Sequence, residues 1–277
     1  MVSVSSVTSG VYTSQINKNN QAQSKALGQI SSGKSVSKSS DGAAALAVAS
    51  LLQSDVSTLK QSATNMVQGT SLLQTADGGL QQASGILDRM KELATQANSG
   101  SLDSNARSAL NTEYQNLATE LDGISSTTTF NGQKLLDGSF NQTFQSGTTG
   151  TDTIGADLSA VDASVSGLGL TPANGANPGA LLTQAGAQAA STELDTAINN
   201  LSSYRAQVGS IASAFSTTGE GIESDINATT EAISAITDAD IAEQATQFNN
   251  SKALSELSIA AAAQGNKMSS SLLRLVR

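Results

Sequence analysis

The chain has 277 residues, a formal net charge of −9, only 3% aromatic residues, two prolines, and no His, Cys or Trp. Without Cys there are neither disulfides nor thiolate metal sites, and without His or Cys a hydroxyl nucleophile lacks its usual base. A chain this poor in aromatic packing energy is expected to be structural rather than enzymatic, burying small residues along extended interfaces as side-by-side helices do.

The charge is unevenly placed. Lys18, Lys25, Lys34, Lys38 and Lys60 outnumber Asp41 and Asp55 at the start, and Lys252, Lys267, Arg274 and Arg277 outnumber Glu256 at the end. From Asp137 to Glu243 the only basic residue is Arg205. Nucleic-acid binding wants clustered Arg with interleaved aromatics, which the sequence lacks. The opening MVSVSSVTSG has neither the basic nor the apolar region of a cleavable signal peptide. The apolar run Ile259 to Ala263 is far too short for a bilayer span, so no membrane insertion is expected.

Taken in chain order, Val4, Val7 and Val11 give a weak helical face that resumes at Leu27 and Ile30. Leu52, Val56, Leu59, Ala63, Met66, Thr70, Leu73 and Leu80 then keep steps of three and four, with Asp77 a break in the pattern. The seam shifts to Ile86, Met90, Leu93 and Ala97, and Asn98-Ser99-Gly100 stops it. An Asp103-Ser104 cap restarts a helix through Leu110, Tyr114, Leu117, Leu121 and Ile124. Asn131-Gly132, between Phe130 and Leu135, predicts a tight β-hairpin, with Phe140 and Phe144 continuing as a short strand. Residues 145–180 are rich in Gly, Ser, Thr and Asn, hold Pro172 and Pro178, and read as loops and short strands in an outward-facing insert.

The longest seam runs from Leu194 through Ile198, Leu201, Arg205, Val208, Ala212, Phe215, Gly219, Ile222, Ile226, Thr229, Ile233 and Ile236. A 3.5-residue repeat held this long indicates coiled-coil packing over roughly 65 Å. Thr237 and Asp240 have the spacing of a capping box. Ile241, Ala245, Phe248, Leu254, Leu257, Ala261, Leu272, Leu273, Leu275 and Val276 follow. Both terminal helices are Ser-rich and thinly apolar, and are expected to become ordered when partners cover them.

Candidate chemistry is sparse. Asp240 reads as a capping residue, Glu220, Glu223 and Asp225 as the solvated flank of the Ile222 seam, and Gly33-Lys34-Ser35 lacks a full phosphate-loop pattern. No cofactor is expected. Arg205 has two readings: a stem packed along the seam with its head in water, or a register-setting pair with an acid on another helix.

The chain is similar to bacterial flagellin. The resemblance rests on LGQISSGKSVSKSSDGAAALAVAS (27–50), NMVQGTSLLQTADGGL (65–80), ILDRMKELATQANSG (86–100) and LNTEYQNLATELDGISSTTTFNGQKLLDG (110–138). At the other end it rests on ELDTAINNLSSYRAQVGS (193–210), ITDADIAEQATQFNNSKALSE (236–256) and QGNKMSSSLLRLVR. Gln29 and Lys34 stand where members commonly carry Arg, and the central region is short.

The resemblance implies a mainly α fold: a long coiled-coil helical bundle of N- and C-terminal segments, with a small β-hairpin and a short irregular central insert. The expected division is an inner-core helix over 1–45, a rod with hairpin over 46–137 and a surface insert over 138–190. The returning rod helix is expected over 191–236 and the second inner-core helix over 237–277. The implied function is a subunit that polymerises into the filament through its terminal helices, with a hook–filament junction protein of the same apparatus as the alternative. Its polymer seam would use Val4, Val7, Val11, Leu27, Ile30, Phe248, Leu254, Leu257, Leu272, Leu273 and Leu275. Implied partners are other flagellin subunits, an export chaperone, the filament cap and junction proteins. Implied export is through the type III apparatus to the extracellular flagellum, without a cleaved signal. By resemblance, Arg89, Leu93 and Glu113 match the site read by the vertebrate flagellin receptor; read from the residues alone, Leu93 is seam packing and the other two are surface charges.

Overall fold

The computed structural model describes residues 2–170 and 179–275, with side chains described within those ranges from residue 10 to 268 and at Ser271. Among them are α1 (Val2–Ser32), α2 (Ser39–Ala97), α3 (Ser104–Thr127), β1 (Thr129–Phe130), β2 (Gln133–Lys134), β3 (Asn141–Gln145), β4 (Thr153–Asp157), α4 (Gln184–Thr237) and α5 (Ile241–Leu275). The chain divides into two compact units, unit 1 from residues 1–56 with 227–277 and unit 2 from residues 57–226. The unit boundaries fall inside α2 and α4, at 56/57 and 226/227.

Unit 2 holds the apolar core. The expected seams are buried at Leu59, Met66, Leu73, Leu80, Met90 and Leu93 on α2, Tyr114 and Leu121 on α3, and Leu194, Leu201, Val208, Phe215 and Ile222 on α4. A second row on α2, Leu72, Ala76, Ala83, Leu87 and Ala94, is also buried, which gives α2 the wider apolar stripe of a helix covered from two sides. α4 begins earlier than its leucine seam, at Gln184, and its first turns bury Ala187 and Ala190. Alanine carries too little hydrophobic signal for that start to be read in advance.

The turn joining α2 to α3 is built from both sides. Asp103 caps α3, its carboxylate accepting from the Ala106 N–H at 2.7 Å. Arg107, itself buried, reaches back to donate to the carbonyls of Ala97 and, at 2.8 Å, Ser99. It thereby satisfies carbonyls that the end of α2 leaves open.

The β1–β2 hairpin forms where expected, with Asn131 at φ 49° and Gly132 at φ 78°, the positive angles of a type I′ turn. β3 pairs antiparallel with β4; Phe144 lies in β3, whereas Phe140 precedes it. The insert does not stand clear of the helices. Leu158, Val161, Val165, Leu168 and Leu170 are buried in the same core as the helical seams. Its backbone is tied down by helix side chains: Asp122 accepts from the Val165 N–H at 2.8 Å, Asn111 from the Leu181 N–H at 3.1 Å, and Gln207 donates to the Asp157 carbonyl at 3.2 Å. Those bonds replace the water that a surface loop would use. Pro172 and Pro178 lie outside the described residues.

In unit 1, α1 and α5 pack along each other. The non-helical stretches that precede α2 and α5 are clipped together, Ser35 N–H donating to the Thr237 carbonyl at 2.7 Å and Ala239 N–H to the Gly33 carbonyl at 3.0 Å. The capping box expected from Thr237 does not form. The Thr237 hydroxyl bonds back to the Ile233 carbonyl at 2.9 Å, finishing α4. Asp240 alone caps α5, accepting from Ala242 and Glu243 N–H groups at 2.9 and 3.2 Å.

One 18-residue window within α2 reaches a mean hydropathy of 1.2 with 17% of it buried. By length and composition that would suffice for a membrane span, a property that core helices of proteins in water share.

Candidate assembly face

The fully buried residues of the contact between α1 and α5 are small or polar. Asn19 and Ala26 on α1, and Ser251 and Ser255 on α5, are its buried residues. Tyr12, Ile16, Ala22 and Ile30 on one helix, with Phe248, Ser258, Ala262 and Gly265 on the other, are half-buried. The Ser255 hydroxyl donates to the Asn20 side-chain oxygen at 3.1 Å, and a side chain on Gly265 would sit 3.5 Å from the Tyr12 ring.

Large apolar side chains of the same two helices point away from that contact. Val11 is 62% exposed, Leu27 54%, Leu254 51% and Leu257 65%, and Ile241, Ile259 and Met268 are exposed with them. Of the expected polymer-seam residues whose side chains are described, Ile30 and Phe248 are half-buried, while Val11, Leu27, Leu254 and Leu257 face outward. Val4, Val7, Leu272, Leu273 and Leu275 lie outside the residues whose side chains are described. Sequence periodicity could not separate the two faces, because each helix carries thin apolar stripes on both. The inward one is distinguishable only by its Ser and Ala at positions 251, 255, 258 and 262.

The other expected site residues fall in unit 2. Arg89 and Glu113 are brought together at 2.7 Å from α2 and α3, with half of the Arg89 side chain exposed, and Arg89 also pairs with Glu92 at 2.9 Å. Leu93 is 1% exposed. It belongs to the α2 seam and offers no surface beside that pair. Arg205 does cross to an acid on another helix, Asp77, at 2.9 Å. Both side chains keep more than a third of their surface in solvent, so the pairing is real but not buried. A further cross-helix pair, Lys91 with Asp195, does not follow from the seams; its signal in the sequence is a lone cation-and-acid match between two of them. Among the described residues, no group of three or more potential ligands is placed to hold a metal ion.

Two family models match this arrangement of helices: the bacterial flagellin N-terminal helical region over residues 5–141 and the bacterial flagellin C-terminal helical region over residues 192–276. Flagellin of Bacillus subtilis is 31% identical, with 95% of each chain covered. The chain belongs to the bacterial flagellin family. Flagellin of Listeria monocytogenes is 33% identical over 94% of each chain. The crystal structure of Bacillus cereus flagellin aligns with a TM-score of 0.49 at 29% identity, covering 57% of this chain and 88% of that one.

By resemblance, Arg is expected at the positions held by Gln29, near the end of α1, and Lys34, just after it. Here the Gln29 amide donates to the Ser35 carbonyl at 2.6 Å, and Lys34 sits in the backbone bridge to Asp238. Neutral hydrogen bonds thus hold this segment in place.

Proposed function

We propose that this chain is a structural subunit of the bacterial flagellar filament, serving swimming motility, and that it polymerises through its terminal helices. The observation that carries this reading is the division of labour on α1 and α5. The residues fully buried in their mutual contact are small or polar, while Val11, Leu27, Leu254 and Leu257 are presented outward. Burying a leucine side chain is worth about 1.5–3 kcal/mol, and a row of them repeated on every copy supplies the association energy that the intramolecular pair lacks. The membership in the flagellin family supports the same assignment.

The test is electron microscopy of purified full-length protein after seeded or salting-out polymerisation. Long uniform tubes from the parent chain, and monomers from Leu254→Asn/Leu257→Asn, are expected. Tubes from the double variant would overturn the role given to the outward row; short caps from the parent chain would point to a junction protein.

The finer reading is that export proceeds by the flagellar type III route without a cleaved signal, with a chaperone masking the same apolar row until assembly beneath a cap. For the vertebrate receptor, the exposed Arg89–Glu113 pair would make the contact, with Leu93 supporting it from below. Arg89→Ala should weaken binding to the purified receptor ectodomain without unfolding unit 2, whereas Leu93→Ala should lower stability first.

A further inference from the structure

Two lines of side chains run along α5. Phe248, Ser251, Ser255, Ser258, Ala262 and Gly265 recur at steps of three and four, and all are buried or half-buried on the side packed against α1. Leu254, Leu257, Ala261, Gln264 and Met268 keep the same steps one residue out of phase, and all are exposed. A 3.5-residue period holds each line to one face, so Met268 shares the outward face with Leu254 and Leu257.

Met268 is 62% exposed. A helical side chain lies over the turn that precedes it, where Gln264 and Gly265 stand. Gly265 has no side chain to cover a neighbour, and a Cβ there would stand 3.5 Å from the Tyr12 ring. The other methionines with described side chains are placed differently. Met66 is 2% exposed and Met90 wholly buried, both in the core of unit 2. Of these three thioethers, only the one on the assembly face is open to a dissolved reagent.

We propose that Met268 is a redox switch on filament assembly, its reagents being hydroperoxides. The proposal rests on the filament reading of the terminal helices. The thioether sulfur attacks the terminal oxygen of the hydroperoxide, and an S–O bond forms as the O–O bond breaks. Sulfur is oxidised by two electrons and the peroxide is reduced by two. The hydroperoxide proton passes to the departing oxygen, which leaves as water or an alcohol. The product is a polar, chiral sulfoxide in place of a flexible apolar side chain. In the free chain that oxygen is solvated and costs little. In a polymer that covers the outward line it loses its water, and burying a polar atom without a partner is costly. Leu254, Leu257 and Ala261 have no side-chain donor, and Gln264 offers a single amide. Oxidised copies are thereby held out of the polymer, whereas an assembled copy has its sulfur covered.

The test treats the full-length chain with hydrogen peroxide and maps the oxidised peptides by mass spectrometry. Sedimentation then gives the concentration at which filaments appear. Oxygen is expected on Met268 ahead of Met66 and Met90, and the filament-forming concentration is expected to rise about tenfold. Met268→Leu, which keeps an apolar side chain that cannot take up oxygen, is expected to polymerise alike before and after peroxide. Methionine sulfoxide reductases should return the oxidised parent to its starting value. Met66 or Met90 oxidised first, an oxidised parent that assembles like the untreated one, or a Met268→Leu chain inhibited as strongly as the parent would each overturn the switch. Untreated chain that forms no filaments would overturn the filament reading itself, and the switch with it.

Discussion

The ring of Phe215 on α4 fills the space that a side chain on Gly69 of α2 would occupy. The same ring meets Phe144 of β3 edge to face, with centroids 5.3 Å apart. One glycine thus allows α2 and α4 to approach closely enough for an aromatic pair to hold the β3–β4 hairpin against them. Gly69→Ala is expected to destabilise unit 2 by about 1–3 kcal/mol, the cost of overpacking, despite alanine's better helix propensity. Gly78, where an added methyl would find nothing within 4 Å, is the control: Gly78→Ala should stabilise by about 0.5–1 kcal/mol. Denaturant midpoints of the two variants moving in the same direction would contradict the assigned contact.

Arg107→Ala removes the donors to the Ala97 and Ser99 carbonyls. An expected loss of about 1–3 kcal/mol follows from leaving the buried Ala97 carbonyl unpaired. Hydrogen exchange should localise the damage to residues 97–107, and uniform loss of protection across unit 2 would argue against a local cap.

For Arg205 and Asp77 the expectation is smaller. Both are solvent-accessible, and exposed pairs contribute about 0–1 kcal/mol. A double-mutant cycle, Arg205→Ala with Asp77→Ala, should return a coupling in that range. A coupling above about 2 kcal/mol would restore the register-setting role expected of a buried pair.

Three aspartates in and beside the insert are held below the usual carboxylate range, by the hydroxyl and then the backbone N–H of nearby residues: Asp137 by Ser139, Asp152 by Thr149 and Asp157 by Ser159. A depressed folded pKa contributes stability that is present above the unfolded value and lost as pH falls through the folded one. The amide resonances of Ser139, Thr149 and Ser159 should therefore titrate below about pH 3.9. Asp152→Asn should abolish the step at Thr149 alone.

Much of the fold is legible because leucine, isoleucine and methionine recur at helical spacing from Val56 to Ala97 and from Leu194 to Ile226, and Asn131-Gly132 specifies its own turn. The insert escapes such a reading because a buried stretch held by hydrogen bonds to Asp122, Asn111 and Gln207 has the composition of a loop. Its partners lie far away in sequence and share no period with it. At the assembly face, the identities of Leu254 and Leu257 are readable, but which way they point depends on Ser251 and Ser255 winning the inward positions.

The bond between Ser255 and Asn20 joins residues separated by 235 positions, whereas the core of unit 2 is complete within residues 57–226. Closing so long a loop carries an entropic cost that the small seam between α1 and α5 repays only slowly, and high contact order slows folding. A chain delivered N-terminus first would therefore carry α1 unpaired for nearly its whole passage, with unit 2 already able to fold. Pairing of the two ends is expected to follow the folding of unit 2.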